Sequence, residues 1–167
     1  MKRKFRIFIG TALCIIITLS LLIAKKINDK NKSEMLILTI PNFSFATLDL
    51  HSFTKKDIDK TKSRIILNHF SPTCEHCQYM AGAIIKDSQK LKDIQILMIT
   101  SADSATTSKF NIDYRLYLLP NIVVLRDTNY QFPKDFGTGI LPSFFIYEHD
   151  KLIKKVLGES KIENLIN

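Results

Sequence analysis

The sequence predicts an α/β domain with a mixed central sheet flanked by helices, preceded by one N-terminal transmembrane helix. Three observations predict it. Short β-branched runs alternate with stretches of helical spacing through the middle of the chain. Two strand-like runs near the end, Ser143–Tyr147 and Leu152–Val156, are joined by Glu148-His149-Asp150-Lys151 as a hairpin. Ile7–Ala24 is an 18-residue run without a charge, and Lys2, Arg3, Lys4 and Arg6 precede it.

As a helix that run would span about 27 Å, close to the roughly 30 Å of a bilayer's hydrocarbon core. The basic leader favours a cytoplasmic N-terminus. Cleavage after Ala24 would put Leu22 three residues before the cut, where a small residue is wanted. Cys14 follows Leu13 in mid-run and fits no lipoprotein site, so it reads as an inert thiol. The expected organisation is a signal anchor over residues 1–26, a polar tether over 27–34 and an exported domain over 35–167. The domain then lies on the extracytoplasmic face of the cell membrane.

Six of the 24 Lys and Arg residues fall within residues 1–26, which hold no acid. The other 141 residues carry 18 positive and 16 negative charges. So nearly neutral a domain lacks the basic face of a nucleic-acid binder. A chain 46% apolar and 24% charged is globular and not disordered.

Met35–Ile40, closed by Pro41, reads as an opening strand. Phe43, Phe45, Leu48 and Leu50 suggest a ragged hairpin, and Lys55–Lys62 an exposed loop. Arg64–Phe70 reads as a buried strand ended by Ser71-Pro72. Cys77, Met80, Ala81, Ile84, Ile85 and Leu91 fall at helical spacing, predicting a helix over 75–91. Ile94–Thr100 is a second buried strand. Ser101–Ser108 reads as a polar loop running into a helix over Lys109–Leu116. Asn121–Leu125 is a third strand, Asn129–Phe136 a short helix or turn, and Gly137-Thr138-Gly139 a flexible approach to Leu141-Pro142. A terminal helix over Ser160–Ile166 would take Ser160 as N-cap with Glu163 at its third position.

Outside the N-terminal run the chain has two cysteines, in Cys74-Glu75-His76-Cys77, where a buried strand turns into a helix. Unpaired backbone N–H groups and the helix dipole at such a start favour a thiolate. The second cysteine, one turn on, can close a disulfide with the first. Cys74 is then the exposed nucleophile and Cys77 the buried resolving thiol, which displaces a substrate held on Cys74. A charged His76 would stabilise the Cys74 thiolate and Glu75 would oppose it, so this pair tunes the couple in a direction the sequence leaves open.

I-I-L-N-H-F-S-P-T-C-E-H-C-Q and the later G-I-L-P-S-F-F-I-Y resemble the thioredoxin superfamily, most closely its membrane-anchored TlpA/ResA-like branch. The likeness covers residues 38–166. It implies a thioredoxin-like fold, thiol–disulfide oxidoreductase activity and no cofactor. Pro142 would be the cis-proline facing the cysteines, with the Leu141 backbone pairing with substrate. The implied partners are protein disulfides or thiols, and a membrane thiol donor or acceptor that recycles the cysteines. The resemblance implies a reductive direction. The motif itself is divided: Glu75 is similar to the reductases, and His76 to disulfide-forming oxidants of the DsbA type.

The sequence departs from the family where Thr73 replaces the usual Trp and Asn68 the buried Asp. An amide cannot act as a base, which leaves water, His69 or another carboxylate as proton acceptor.

Three other readings compete. A structural zinc site needs four ligands, and His51, His69 and His149 are scattered, so no metal is expected. A thiol peroxidase loop would match at Ser71 but has Leu67 at its Pro position. A Sco-like copper-delivery protein needs one more residue between the cysteines and a distant His such as His149.

Overall fold

The computed structural model describes the backbone of residues 2–166 and the side chains of residues 13–166 other than 29 and 33. Helix α1 (Lys2–Leu36) leads into the domain. A hairpin of β1 (Ser44–Thr47) and β2 (Ser52–Thr54) follows. Then come β3 (Arg64–His69), α2 (Glu75–Lys86), α3 (Ser88–Leu91), β4 (Ile94–Thr100) and α4 (Ser104–Asp113). The chain ends with β5 (Ile122–Arg126), α5 (Gln131–Phe136), β6 (Ser143–Glu148), β7 (Lys151–Leu157) and α6 (Glu163–Ile166).

The strands form one mixed sheet in the order β2-β1-β5-β4-β3-β6-β7. β4 lies parallel to both β3 and β5, and β6 runs antiparallel to β3. All seven residues of β4 are buried, as expected of a central strand covered on both faces.

Alternation along β3 separates two cores. Ile66 and Phe70 pack with Ile96, Met98 and Phe144 against Cys77, Met80 and Ile84 of α2. Ile65 and Leu67 pack with Leu97, Ile99 and Phe145 against Phe132 and Phe136 of α5. β7 forms an edge, with Lys151, Ile153, Lys155 and Leu157 exposed in alternation. Lysines on such an edge oppose pairing with another chain.

The parallel register brings the ends of β3, β4 and β5 and the start of β6 to one pole. His149, whose N–H donates to the Ser63 carbonyl at 3.4 Å, and the Lys55–Lys62 loop lie at the other.

Several expectations need correction. The polar tether over residues 27–34 is helical, a continuation of α1; the stretch holds no Pro or Gly, and Lys30 pairs with Glu34 one turn away at 3.8 Å. Met35–Ile40 is not a strand. The helix ends at Leu36, and Ile37 and Ile40, three apart, both turn into the α5-side core. Thr39 makes one isolated bridge to Lys151, and Leu152 N–H donates to the Leu38 carbonyl at 2.9 Å.

The predicted 75–91 helix breaks at Asp87. α4 begins five residues before the predicted start because Asp103 caps it, accepting from Thr106 N at 2.9 Å and Thr106 Oγ1 at 2.7 Å. These bonds hold the Asp103 carboxyl below its ordinary range. Ser160 caps no helix: α6 starts at Glu163, and Ser160 Oγ accepts from Asn164 Nδ2 at 3.0 Å.

Among the described residues no helix is long and apolar enough to cross a membrane. The side chains of residues 7–12, the first third of the uncharged run, lie outside those described. From Leu13 to Ile23 the α1 side chains are exposed all round the helix.

Candidate active site

β3 delivers the chain to the shared pole, where Ser71-Pro72-Thr73 turns it into α2. Cys74 is the N-cap of α2. Its N–H donates to the Ser71 carbonyl at 3.1 Å, and its own carbonyl accepts the first helical bond from Gln78 N at 3.0 Å. Gln78 Nε2 reaches back to the Pro72 carbonyl at 2.8 Å and fixes the turn.

Cys74 and Cys77 are both free thiols; Cys74 is half-buried and Cys77 is 1% exposed. Burial pushes the Cys77 thiol up to about 12, against the Ser71 N–H, which favours its thiolate, and with the Cys74 sulfur beside it adding to the rise. Ser71 N donates to Cys77 Sγ at 3.5 Å. The sequence-predicted asymmetry of one accessible and one buried sulfur is therefore present.

Leu141 and Pro142, 67 and 68 residues further on, are brought to the same place. The Leu141–Pro142 peptide is cis, and the Leu141 carbonyl lies 4.0 Å from Cys74 Sγ. Glu75 lies exposed in the first turn of α2. His76 Nδ1 pairs at 2.8 Å with Glu159 Oε2, in the loop after β7.

Sequence reasoning missed Glu159, which lies 83 residues from His76. The one local signal was Gly158, whose φ of +84° ends β7. That loop also touches both halves of the site. Gly158 N–H donates to the Pro142 carbonyl at 2.8 Å, and Ser160 N–H to Met80 Sδ at 3.4 Å.

Two alternatives are affected. His69 is not placed to serve the cysteines: it lies on the α5 face of β3, stacked on Phe132 at 4.9 Å, whereas Cys77 packs on the α2 face. Asn68 is on the α2 side but donates through Nδ2 to the Ser143 carbonyl at 3.2 Å. His149, the distant His a copper reading would require, sits at the opposite pole.

The family model described as Thioredoxin matches residues 43–133. The chain belongs to the thioredoxin family, and its mixed sheet and helices are a thioredoxin-like fold. No curated protein sequence matches it.

Among solved structures it is similar to one described as the thiol:disulfide interchange protein DsbE from Chlorobium tepidum. That likeness has a TM-score of 0.62 at 19% identity, over 77% of this chain and 92% of the other. It is similar to Mycobacterium tuberculosis dsbF at 0.62 and 22%, over 74% and 89%. A secreted M. tuberculosis disulfide oxidoreductase aligns at 0.58 and 19%, over 71% and 85%. At these identities the likeness is one of fold.

Proposed function

We propose that this chain is a thiol–disulfide oxidoreductase of the TlpA/ResA-like branch, held at the extracytoplasmic face of the cell membrane by its N-terminal helix and reducing protein disulfides. The observation that carries the reading is the geometry of Cys74: a half-buried thiol on the N-cap residue of α2, its sulfur 4.0 Å from the Leu141 carbonyl and beside the buried Cys77.

In the reductive direction Cys74 Sγ attacks a substrate disulfide, and one substrate thiolate leaves. Cys77 Sγ then attacks Cys74 Sγ and the second substrate thiolate leaves. The substrate gains two electrons and the chain is left with a Cys74–Cys77 disulfide. A membrane thiol donor restores the dithiol, since cytosolic thiols do not reach that face. Glu75 and His76 tune the couple.

The anchor rests on the uncharged run Ile7–Ala24 and on apolar side chains exposed all round α1, the pattern of a helix that needs an apolar surround.

Insulin reduction by dithiothreitol tests the activity, with the full chain in detergent. The wild type should accelerate it and Cys74→Ser should not. Equal rates with and without the chain would remove this function.

A further inference from the structure

The pair of His76 and Glu159 stands in the cysteine motif, yet the exchange step does not use it. His76 Nδ1 and Glu159 Oε2 are 2.8 Å apart, with side chains 69% and 40% exposed. An ion pair that open to water adds little to stability, so holding the fold together does not account for it. The loop that carries Glu159 is nevertheless fixed on both sides. Gly158 N–H donates to the Pro142 carbonyl at 2.8 Å, and Ser160 N–H to Met80 Sδ at 3.4 Å. Gly158, at a φ of +84°, turns the chain from the end of β7 into this position. Backbone contacts thus present the carboxylate to the first turn of α2 from 83 residues away in the chain.

The consequence is electrostatic. Cys74 Sγ has the Leu141 carbonyl as its hydrogen-bond partner, at 4.0 Å, while the imidazole two residues on is engaged by Glu159. An imidazolium left to itself would stabilise the Cys74 thiolate and with it the reduced dithiol, making the disulfide a stronger oxidant. A carboxylate on Nδ1 cancels that charge locally. Glu75, exposed in the same turn, adds a second carboxylate. Two carboxylates around one imidazole leave this group with no net positive charge, which disfavours the thiolate.

We infer that Glu159 is a positioning residue that sets the redox poise: by holding His76 it withholds the imidazolium from Cys74 and keeps the Cys74–Cys77 couple reducing. The inference rests on the exchange reaction proposed for Cys74, and it gives the divided motif a direction.

The test compares the full chain, its Glu159→Gln and His76→Gln variants and the double variant, all carrying Cys14→Ser. Each is equilibrated in detergent at pH 6 with graded ratios of reduced to oxidised dithiothreitol. In this equilibrium the Cys74–Cys77 bond opens, taking up two electrons and two protons, as one dithiothreitol closes its own disulfide. At that pH most unpaired imidazoles, with an ordinary pKa of about 6.5, still carry their charge. Glu159→Gln should favour the dithiol about tenfold, a shift of about 30 mV towards the oxidising side. In the His76→Gln background the same substitution should change the equilibrium by less than about twofold. No shift, a shift towards the reducing side, or an equal shift without His76 overturns the role of Glu159 and leaves the exchange reaction standing. Absence of a Cys74–Cys77 couple from all four chains removes both.

Discussion

Cys77→Ser should accumulate mixed disulfides between Cys74 and its protein partners, whereas Cys74→Ser should accumulate almost none. The expectation follows from burial. A substrate disulfide can reach Cys74, which is half-buried at the start of α2, but not Cys77, which is 1% exposed beneath it. Once a substrate is bonded to Cys74, release depends on attack by Cys77, and the serine variant has no sulfur to make it. Non-reducing electrophoresis of acid-quenched whole cells reads the adducts. Equal trapping by the two variants would contradict the assignment of nucleophile and resolving thiol.

The same step carries a pH dependence whose sign is fixed. Burial holds the Cys77 thiol well above its ordinary range, so at neutral pH only a small minority of molecules hold it as the thiolate that attacks. That fraction grows as pH rises towards 12. Release of the wild-type mixed disulfide should therefore accelerate about tenfold per pH unit between pH 6 and 9, followed by stopped flow.

Phe132→Ala should cost about 3–5 kcal/mol of stability, the range for deleting a fully buried aromatic ring. Phe132 is 0% exposed. Its ring stacks on Phe136 at 3.9 Å, meets Phe145 edge-on at 5.7 Å and carries His69 at 4.9 Å. Its N–H is one of the two that Asp127 accepts, so α5 is fixed by a buried carboxylate and by this ring together. A domain of this size is stable by only about 5–15 kcal/mol, so the loss is a large fraction of the whole. Urea unfolding in detergent should show a clearly lower midpoint. Tyr79→Ala, on the solvent side of α2 and 60% exposed, should shift it by no more than about 0.5 kcal/mol.

The ends of β3 and β7 were legible because each has a turn signal beside it: Ser71-Pro72 after β3, Gly158 after β7. The cysteine pair was legible because strand-to-helix placement and three-residue spacing are local properties. What failed depended on partners distant in sequence or on a single capping side chain. Ser101–Ser108 reads as a loop until the Asp103 carboxylate is seen closing the first turn of α4. Met35–Ile40 has strand composition, yet α1 overruns its first two residues and its two buried isoleucines are three apart. That His69 lies on the face of β3 opposite Cys77 follows from alternation along the strand, which places neighbours Asn68 and His69 on opposite faces. Glu159 could not have been paired with His76 from the sequence, since only the return of β7 beside the cis-proline loop brings them together.

The measurement that tests the central claim most directly is the reduction potential of Cys74 and Cys77. The full chain, with Cys14→Ser to remove the third thiol, is equilibrated in dithiothreitol and glutathione buffers and its free thiols are counted after acid quench. A single two-electron couple near about −250 mV or lower, absent in Cys77→Ser, is the predicted result for a reductant fed by a membrane donor. Two thiols that stay reduced even at about −120 mV, the poise of a strong disulfide donor, would contradict the redox role of this pair altogether.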